Sequence, residues 1–198
     1  MNVMIQRAGI LSLFVTLSAC SSLGAPTGDL IATPGCETAV RSLSSGPGRA
    51  WMQEQGWRFR SEEEAASTYA NLADTASPWP DWLPPQETVL APGTRFQMAI
   101  GGEQTAEHPG SFGTFDNIDE VEDVRSGLAV RIEWKSEVDR VVTYEVTQAF
   151  PVRVGPVGPQ VDGRSCRLLL GRWSQLQILV PPDRRMEYLK VVGIRPIR

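Results

Sequence analysis

The sequence predicts an α+β protein: a strand-rich domain over residues 88–198, a short helical cap before it, and a flexible tether at the N-terminus. Three observations lead there. In Asp139–Pro159, Val142, Tyr144 and Val146 alternate with Thr143, Glu145 and Thr147, the period-two pattern of a half-buried strand. A second strand follows from Pro151, with Val152 and Val154 flanking Arg153, until Gly155, Pro156, Gly158 and Pro159 end the ladder. Upstream, Ser61-Glu62-Glu63-Glu64 has the form of a helix capping box, with an acidic first turn that suits the helix dipole.

The bulk numbers agree with a folded domain plus accessories. The chain has 198 residues, 41% of them hydrophobic and 21% charged, with a net charge of −4. An acidic balance argues against nucleic acid as a partner, because phosphate backbones are met by basic faces. Arginine outnumbers lysine 17 to 2.

Arg7 is the sole charge before the apolar run Ala8–Leu17, which is too short to span a bilayer and reads as a secretory signal. It ends in Leu17-Ser18-Ala19-Cys20, which resembles the bacterial lipobox. The resemblance implies cleavage before Cys20 and lipidation of its thiol, which would anchor the chain to a membrane. The alternative is an ordinary cleaved signal with a chance cysteine. Ser21 in place of Asp favours the outer membrane, facing the periplasm, by analogy with lipoprotein sorting.

The remaining cysteines, Cys36 and Cys166, allow one connectivity in an oxidising compartment. A bridge would close a loop of about 130 residues, worth about 4–5 kcal/mol in the chain-entropy model. Two unrelated buried thiols are the alternative. Neither cysteine has a partner at metal-ligand spacing, so no metal is expected.

Residues 20–36 are small, polar and rich in Gly and Pro, as a tether is. Residues 37–87 form the cap. Glu37–Ser45 could be one short helix ended by Gly46-Pro47-Gly48, and the Ser61 helix should run to about Asp74, burying Ala66, Tyr69, Ala70 and Ala73. Thr75–Glu87, with four prolines plus Trp79 and Trp82, cannot be helix or central strand and reads as an ordered covering. Strands are expected at Val89-Leu90, Arg95–Ile100, Leu128–Trp134, Cys166–Leu170 and Gln175–Val180, and a helix at Asp183–Val192, with a strand as its alternative. The lone His108 sits in a loop with no nucleophile nearby and is expected to be solvent-exposed. Asp116, Asp119, Glu120, Glu122 and Asp123 do not fit a calcium-loop spacing and read as a solvated face.

No phosphate-binding loop, hydrolase elbow or Cys/His pairing is present in the sequence. Several short motifs in order, however, resemble the TNT family, the NAD glycohydrolase domain named for the tuberculosis necrotizing toxin. They are Trp79-Pro80-Asp81-Trp82-Leu83-Pro84-Pro85, Pro92-Gly93-Thr94, Gly110-Ser111-Phe112-Gly113, Arg125-Ser126-Gly127-Leu128, Tyr144 and Val146 with Phe150-Pro151-Val152, Gly155 to Pro159, and Gln177 before Pro181. The resemblance covers roughly the last 120 residues and implies a strand-rich TNT-like domain with NAD as substrate rather than as cofactor. It implies Arg125 on phosphate, Gln177 orienting nicotinamide or water as the second catalytic position, and Arg95 as a further cation for the nucleotide. Two positions differ from the family pattern: its arginine after Pro-Gly-Thr falls on the Gln97-Met98-Ala99 segment, and its histidine falls on Val142.

Two functional readings therefore stand side by side. One is a lipid-anchored envelope protein with a divergent NAD glycohydrolase-type domain that binds a nucleotide with weak or lost activity. The other is a non-catalytic envelope lipoprotein that binds or scaffolds a protein partner.

Overall fold

The computed structural model describes residues 36–75 and 77–198. The signal sequence, Cys20 and the tether lie outside the described residues.

The fold is α+β, with antiparallel sheets and a few short helices. Three helices come first: α1 (Cys36–Ala39), α2 (Gly46–Gln55) and α3 (Glu62–Thr75). Gly46-Pro47-Gly48 does not merely end a helix. It opens α2, because Ser45 Oγ accepts from Gly48 N–H at 2.9 Å and Pro47 occupies the first turn, where its missing N–H costs nothing. Ser61 caps α3 by accepting from Glu64 N–H at 3.2 Å, and Glu64 reaches back to Arg60 N–H rather than to the cap itself. The buried face of α3 carries Ala65 and Tyr69, while Ala66, Ala70 and Ala73 are only half-buried. Tyr69 donates to the Val40 carbonyl at 2.6 Å and packs near Trp51 and Phe59.

Cys36 and Cys166 are joined in a disulfide, which ties the start of the cap to the sheets. The bridge belongs to the same apolar cluster as Val40, Trp51, Ala65, Tyr69 and Val161.

Strands β1 (Gln86–Leu90), β5 (Phe150–Pro156), β8 (Ser174–Ile178) and β3 (Phe112–Gly113) form a four-stranded sheet in that spatial order. Strands β2 (Arg95–Ile100), β4 (Arg140–Val146) and β9 (Leu189–Pro196) form a second sheet, and β6 (Gln160–Asp162) pairs with β7 (Arg167–Leu169). The two successive strands of Asp139–Pro159 thus enter different sheets. The side chains of Phe96, Met98, Ile100, Val142, Tyr144 and Val146 meet Phe150, Val152, Leu176 and Ile178 in the main core. The opposite face of the β2–β4–β9 sheet buries Val141 against Ile118, Val124, Val138 and Ile197.

Two expected elements differ. Leu128–Trp134 is not a strand: a π-turn over Asp123–Gly127 feeds into Ala129 at φ 49°, and the chain then turns. Its carbonyls find a side-chain partner instead of a ladder. Arg125 donates to Val130 O at 3.0 Å, Arg131 O at 3.4 Å and Ser136 O at 3.2 Å. Asp183–Val192 is likewise no single helix. A 3₁₀ segment, Pro182–Glu187, runs into β9, whose register bulges beside Thr143/Tyr144 of β4.

Candidate functional site

A cavity of about 330 Å³ opens where the two larger sheets meet. Its lining comes from several elements: Gln97, Met98 and Ala99 of β2, the approach to β3 from Gly110, the Val124–Val130 turn, Trp134 and Lys135, Gln160 of β6 and Gln175 of β8. This volume lies at the small end of the range for ligand sites.

The close approach of β3 to β2 depends on a glycine. A Cβ on Gly113 would lie 2.8 Å from the Phe96 ring and 3.0 Å from the Gln97 carbonyl, so no larger residue fits without displacement. The bridge between Gln97 and Thr114 then links the two sheets across the cavity. The Gln97 side chain locks the adjoining loop, accepting from Ile118 N–H at 2.9 Å and donating to Asn117 Oδ1 at 3.0 Å.

The cavity's polar groups are mostly amides: Gln97, Gln104, Gln160 and Gln175. Gln160 is buried; its Nε2 donates to the Ser77 carbonyl, and its Oε1 meets no donor among the described residues. Gln175 is also buried and makes a long contact, 3.4 Å, from Nε2 to the Pro78 carbonyl. Lys135 is the one ionisable side chain among the described lining residues. Its Nζ donates to the Ala99 carbonyl at 3.1 Å and to Gln104 Oε1 at 2.6 Å. Burial, and then the charge of Arg125, push its ammonium pKa down, against a smaller upward pull from Asp139. Phe112 and Trp134 remain partly exposed where they line the cavity, and Trp134 also lies under the Arg131 guanidinium at 5.2 Å.

The three polar positions implied by the family resemblance are not brought together. Arg125 is 4% exposed and its guanidinium is spent on backbone carbonyls, which makes it a brace behind the cavity wall. Arg95 projects to solvent and pairs with Glu145, its neighbour on β4, at 2.8 Å. It lies outside the cavity lining although it shares a strand face with Gln97 and Ala99, which do line it, because it sits at the start of β2, two residues before Gln97. Gln177 shares a strand face with Gln175, but sits two residues further on, opposite Phe112 and Arg153, outside the lining. Gln175 is therefore the strand amide that reaches the cavity.

Lys135, Gln160 and Gln175 were not singled out by sequence. For Lys135 a usable signal exists, since a lysine is rare in this arginine-rich chain. Gln160 carries none, because only the β6–β7 pairing places it there.

His108 is exposed, with Nδ1 3.0 Å from Thr105 Oγ1. The acidic residues are engaged locally rather than around a shared centre. Asp123 accepts from the N–H groups of Asp119 and Glu120, Asp116 holds Ser174, and Glu122 pairs with Arg167, which holds the Glu122 carboxyl below its usual range. Among the described residues no group of three or more His, Cys, Asp or Glu could hold a metal ion, and no helix is long and apolar enough to cross a membrane.

No protein-family model matches the chain, and no curated protein sequence matches it. Among solved structures it is similar to Tne2 in complex with Tni2, with a TM-score of 0.49 and 19% identity over 60% of this chain and 97% of that one. It is also similar to Tse6 in complex with Tsi6, with a TM-score of 0.38 and 17% identity over 73% and 93% of the two chains. A third similar structure is Rhs1-CT in complex with its cognate immunity protein RhsI1, with a TM-score of 0.33 and 10% identity over 58% and 80%.

Proposed function

We propose that this chain is a lipid-anchored envelope protein whose strand-rich domain binds a nucleotide of the NAD type, with weak or lost glycohydrolase activity. The observation that carries the reading is the cavity, in which buried amides surround an apolar floor and no carboxylate lines the wall among the described residues. Amides suit a neutral ring bearing its own amide, because each offers both a donor and an acceptor. Hydrolysis of a nicotinamide–ribose bond gains from an acid or base within reach of the reacting atoms. Here the paired positions Met98 and Val142 are apolar, face each other across β2 and β4, and lie in the core at 3% and 0% exposure.

The test is calorimetric titration of the purified full-length chain, held in a mild non-ionic detergent, with NAD, alongside an assay for released nicotinamide. Saturable binding with little or no nicotinamide release is expected. Gln175→Leu should weaken binding by about tenfold, the equivalent of one hydrogen bond, while Gln177→Leu leaves it within about twofold. Absence of binding overturns the reading. Anchoring through Cys20 is checked separately by metabolic labelling with a fatty-acid analogue, which Cys20→Ser should abolish. A second reading, a module that binds a protein partner, draws on the exposed aromatics Phe112, Phe115 and Trp134. It gains if substitution of these three removes a crosslinked partner from cells while NAD fails to bind.

A further inference from the structure

The chain holds two lysines in very different settings. Lys190 lies on the surface of β9, more than half exposed, and pairs with Glu145. Lys135 extends along the cavity wall, among Met98, Ala99, Leu128 and Val130, and no carboxylate lies within ion-pairing distance of it among the described residues.

The hydrogen-bond partners of Lys135 suit a neutral amine. A neutral amine has two N–H donors and one lone pair, whereas an ammonium has three donors. Two acceptors are present, the Ala99 carbonyl and Gln104 Oε1, and both residues also line the cavity. With both N–H groups so placed, the lone pair is left for the third direction. Arg125 sits behind this wall, its guanidinium bonded to the carbonyl of Ser136, the residue after Lys135. A lysine desolvated in an apolar pocket beside another cation is the setting in which an amine becomes a nucleophile near neutral pH. The lowered pKa of Lys135 follows from the same two causes.

We propose that Lys135 is a site of reversible imine formation with small aromatic or apolar aldehydes and ketones that enter the cavity. The nitrogen lone pair attacks the carbonyl carbon and forms a carbinolamine. The carbonyl oxygen then leaves as water, taking both amine hydrogens, and a C=N bond replaces the C=O bond. No oxidant or reductant takes part. A protonated imine keeps one N–H, for which one of the two existing acceptors remains. A cavity of about 330 Å³ holds one aromatic ring, and Phe112 and Trp134 provide flat apolar surface for it.

The experiment uses the full-length chain in mild detergent with benzaldehyde and sodium cyanoborohydride at pH 7.5. The reductant only traps the imine, and peptide mass spectrometry locates the benzyl group. Lys135 should be labelled at least about tenfold faster than Lys190, because a desolvated amine offers its lone pair where a solvated, charged one does not. The preference should vanish in urea, where both side chains are solvated. Labelling of Lys190 as fast as Lys135, or a Lys135 preference that persists in urea, overturns the proposal. No nucleotide is added, so a failure of NAD to bind leaves this result readable by itself.

Discussion

Replacing Arg125 by methionine separates a bracing role from a ligand-contacting one. In the folded chain its guanidinium is buried and donates to three carbonyls, at 3.0 Å (Val130), 3.2 Å (Ser136) and 3.4 Å (Arg131). The first two are well-formed bonds from a charged donor, each worth about 1.5–3 kcal/mol net, and the third is marginal. Desolvation of the cation opposes them, and Nε has no partner among the described residues. The balance predicts that Arg125→Met destabilises the fold by about 2–4 kcal/mol, chiefly by leaving the 130–136 carbonyls without a donor. Arg95→Met removes only a solvent-exposed pair with Glu145 and should change stability by no more than about 0.5 kcal/mol. Urea unfolding followed by tryptophan fluorescence measures both. With a slope of about 2 kcal/mol per molar, the Arg125→Met midpoint should fall by about 1–2 M. A midpoint unchanged in Arg125→Met, together with lost NAD binding, would refute the bracing role and return this arginine to the ligand.

Reduction of the Cys36–Cys166 bridge, or its replacement by Cys36→Ala with Cys166→Ala, should cost about 5 kcal/mol, because it frees a segment with a sequence separation of 130; urea midpoints of the oxidised and reduced chain measure the loss, and equal midpoints contradict it. Tyr144 is buried, donates to the Ala106 carbonyl at 2.7 Å and has its pKa pushed up to about 12 by burial. The folded state therefore keeps a phenol proton that the unfolded chain gives up near pH 10. The stability tied to that proton is fully present below pH 10 and is lost as pH rises toward 12, by at most about 2.7 kcal/mol; comparing wild type with Tyr144→Phe across this window isolates it, and parallel curves refute it. At Gly158 a Cβ would fall 2.6 Å from the Trp79 carbonyl carbon and 2.7 Å from Pro80 N, so Gly158→Ala must displace backbone and should cost about 1–3 kcal/mol, read from thermal unfolding.

The strands legible in the sequence are those that turn one apolar face into the main core. β2 has the bounds its alternation suggests, and β4 and β5 fall where Pro151 and the Gly155–Pro159 segment divide them. The segment Leu128–Trp134 misled because apolar alternation reports burial, not hydrogen bonding; Leu128 and Val130 pack on the core, while the carbonyl that would join a ladder goes to Arg125. Gly46-Pro47-Gly48 misled in the opposite sense, since proline breaks a helix interior but favours its first turn. The disulfide was legible because, once the lipobox resemblance sets Cys20 aside, Cys36 and Cys166 leave one pairing. The site was less so. Short motifs place a glutamine on a strand face, yet cannot fix which of Gln175 and Gln177 reaches a cavity, because both share that face. Lys135 and Gln160 reach it through a turn and a two-stranded hairpin, whose geometry periodicity does not encode.

The distribution of polarity around the cavity has a physical consequence for what chemistry this fold can support. On β2 and β4, Met98 and Val142 oppose each other inside the main core, and of the two only Met98 reaches the cavity lining; an added charge there would need a partner that Phe96, Tyr144 and Leu176 do not provide. The cavity's polar groups come from other positions: Lys135 and Gln104 from connecting segments, Gln160 from a short hairpin, and Gln97 and Gln175 from strands β2 and β8. Segments outside the packed sheets can change side chains with less disturbance of the core than strands can. A ligand in this cavity would therefore meet an apolar floor and a polar wall with a single amine. Such an arrangement orients a ring and its substituents through amide hydrogen bonds, with Lys135 the one ionisable side chain among the described lining residues.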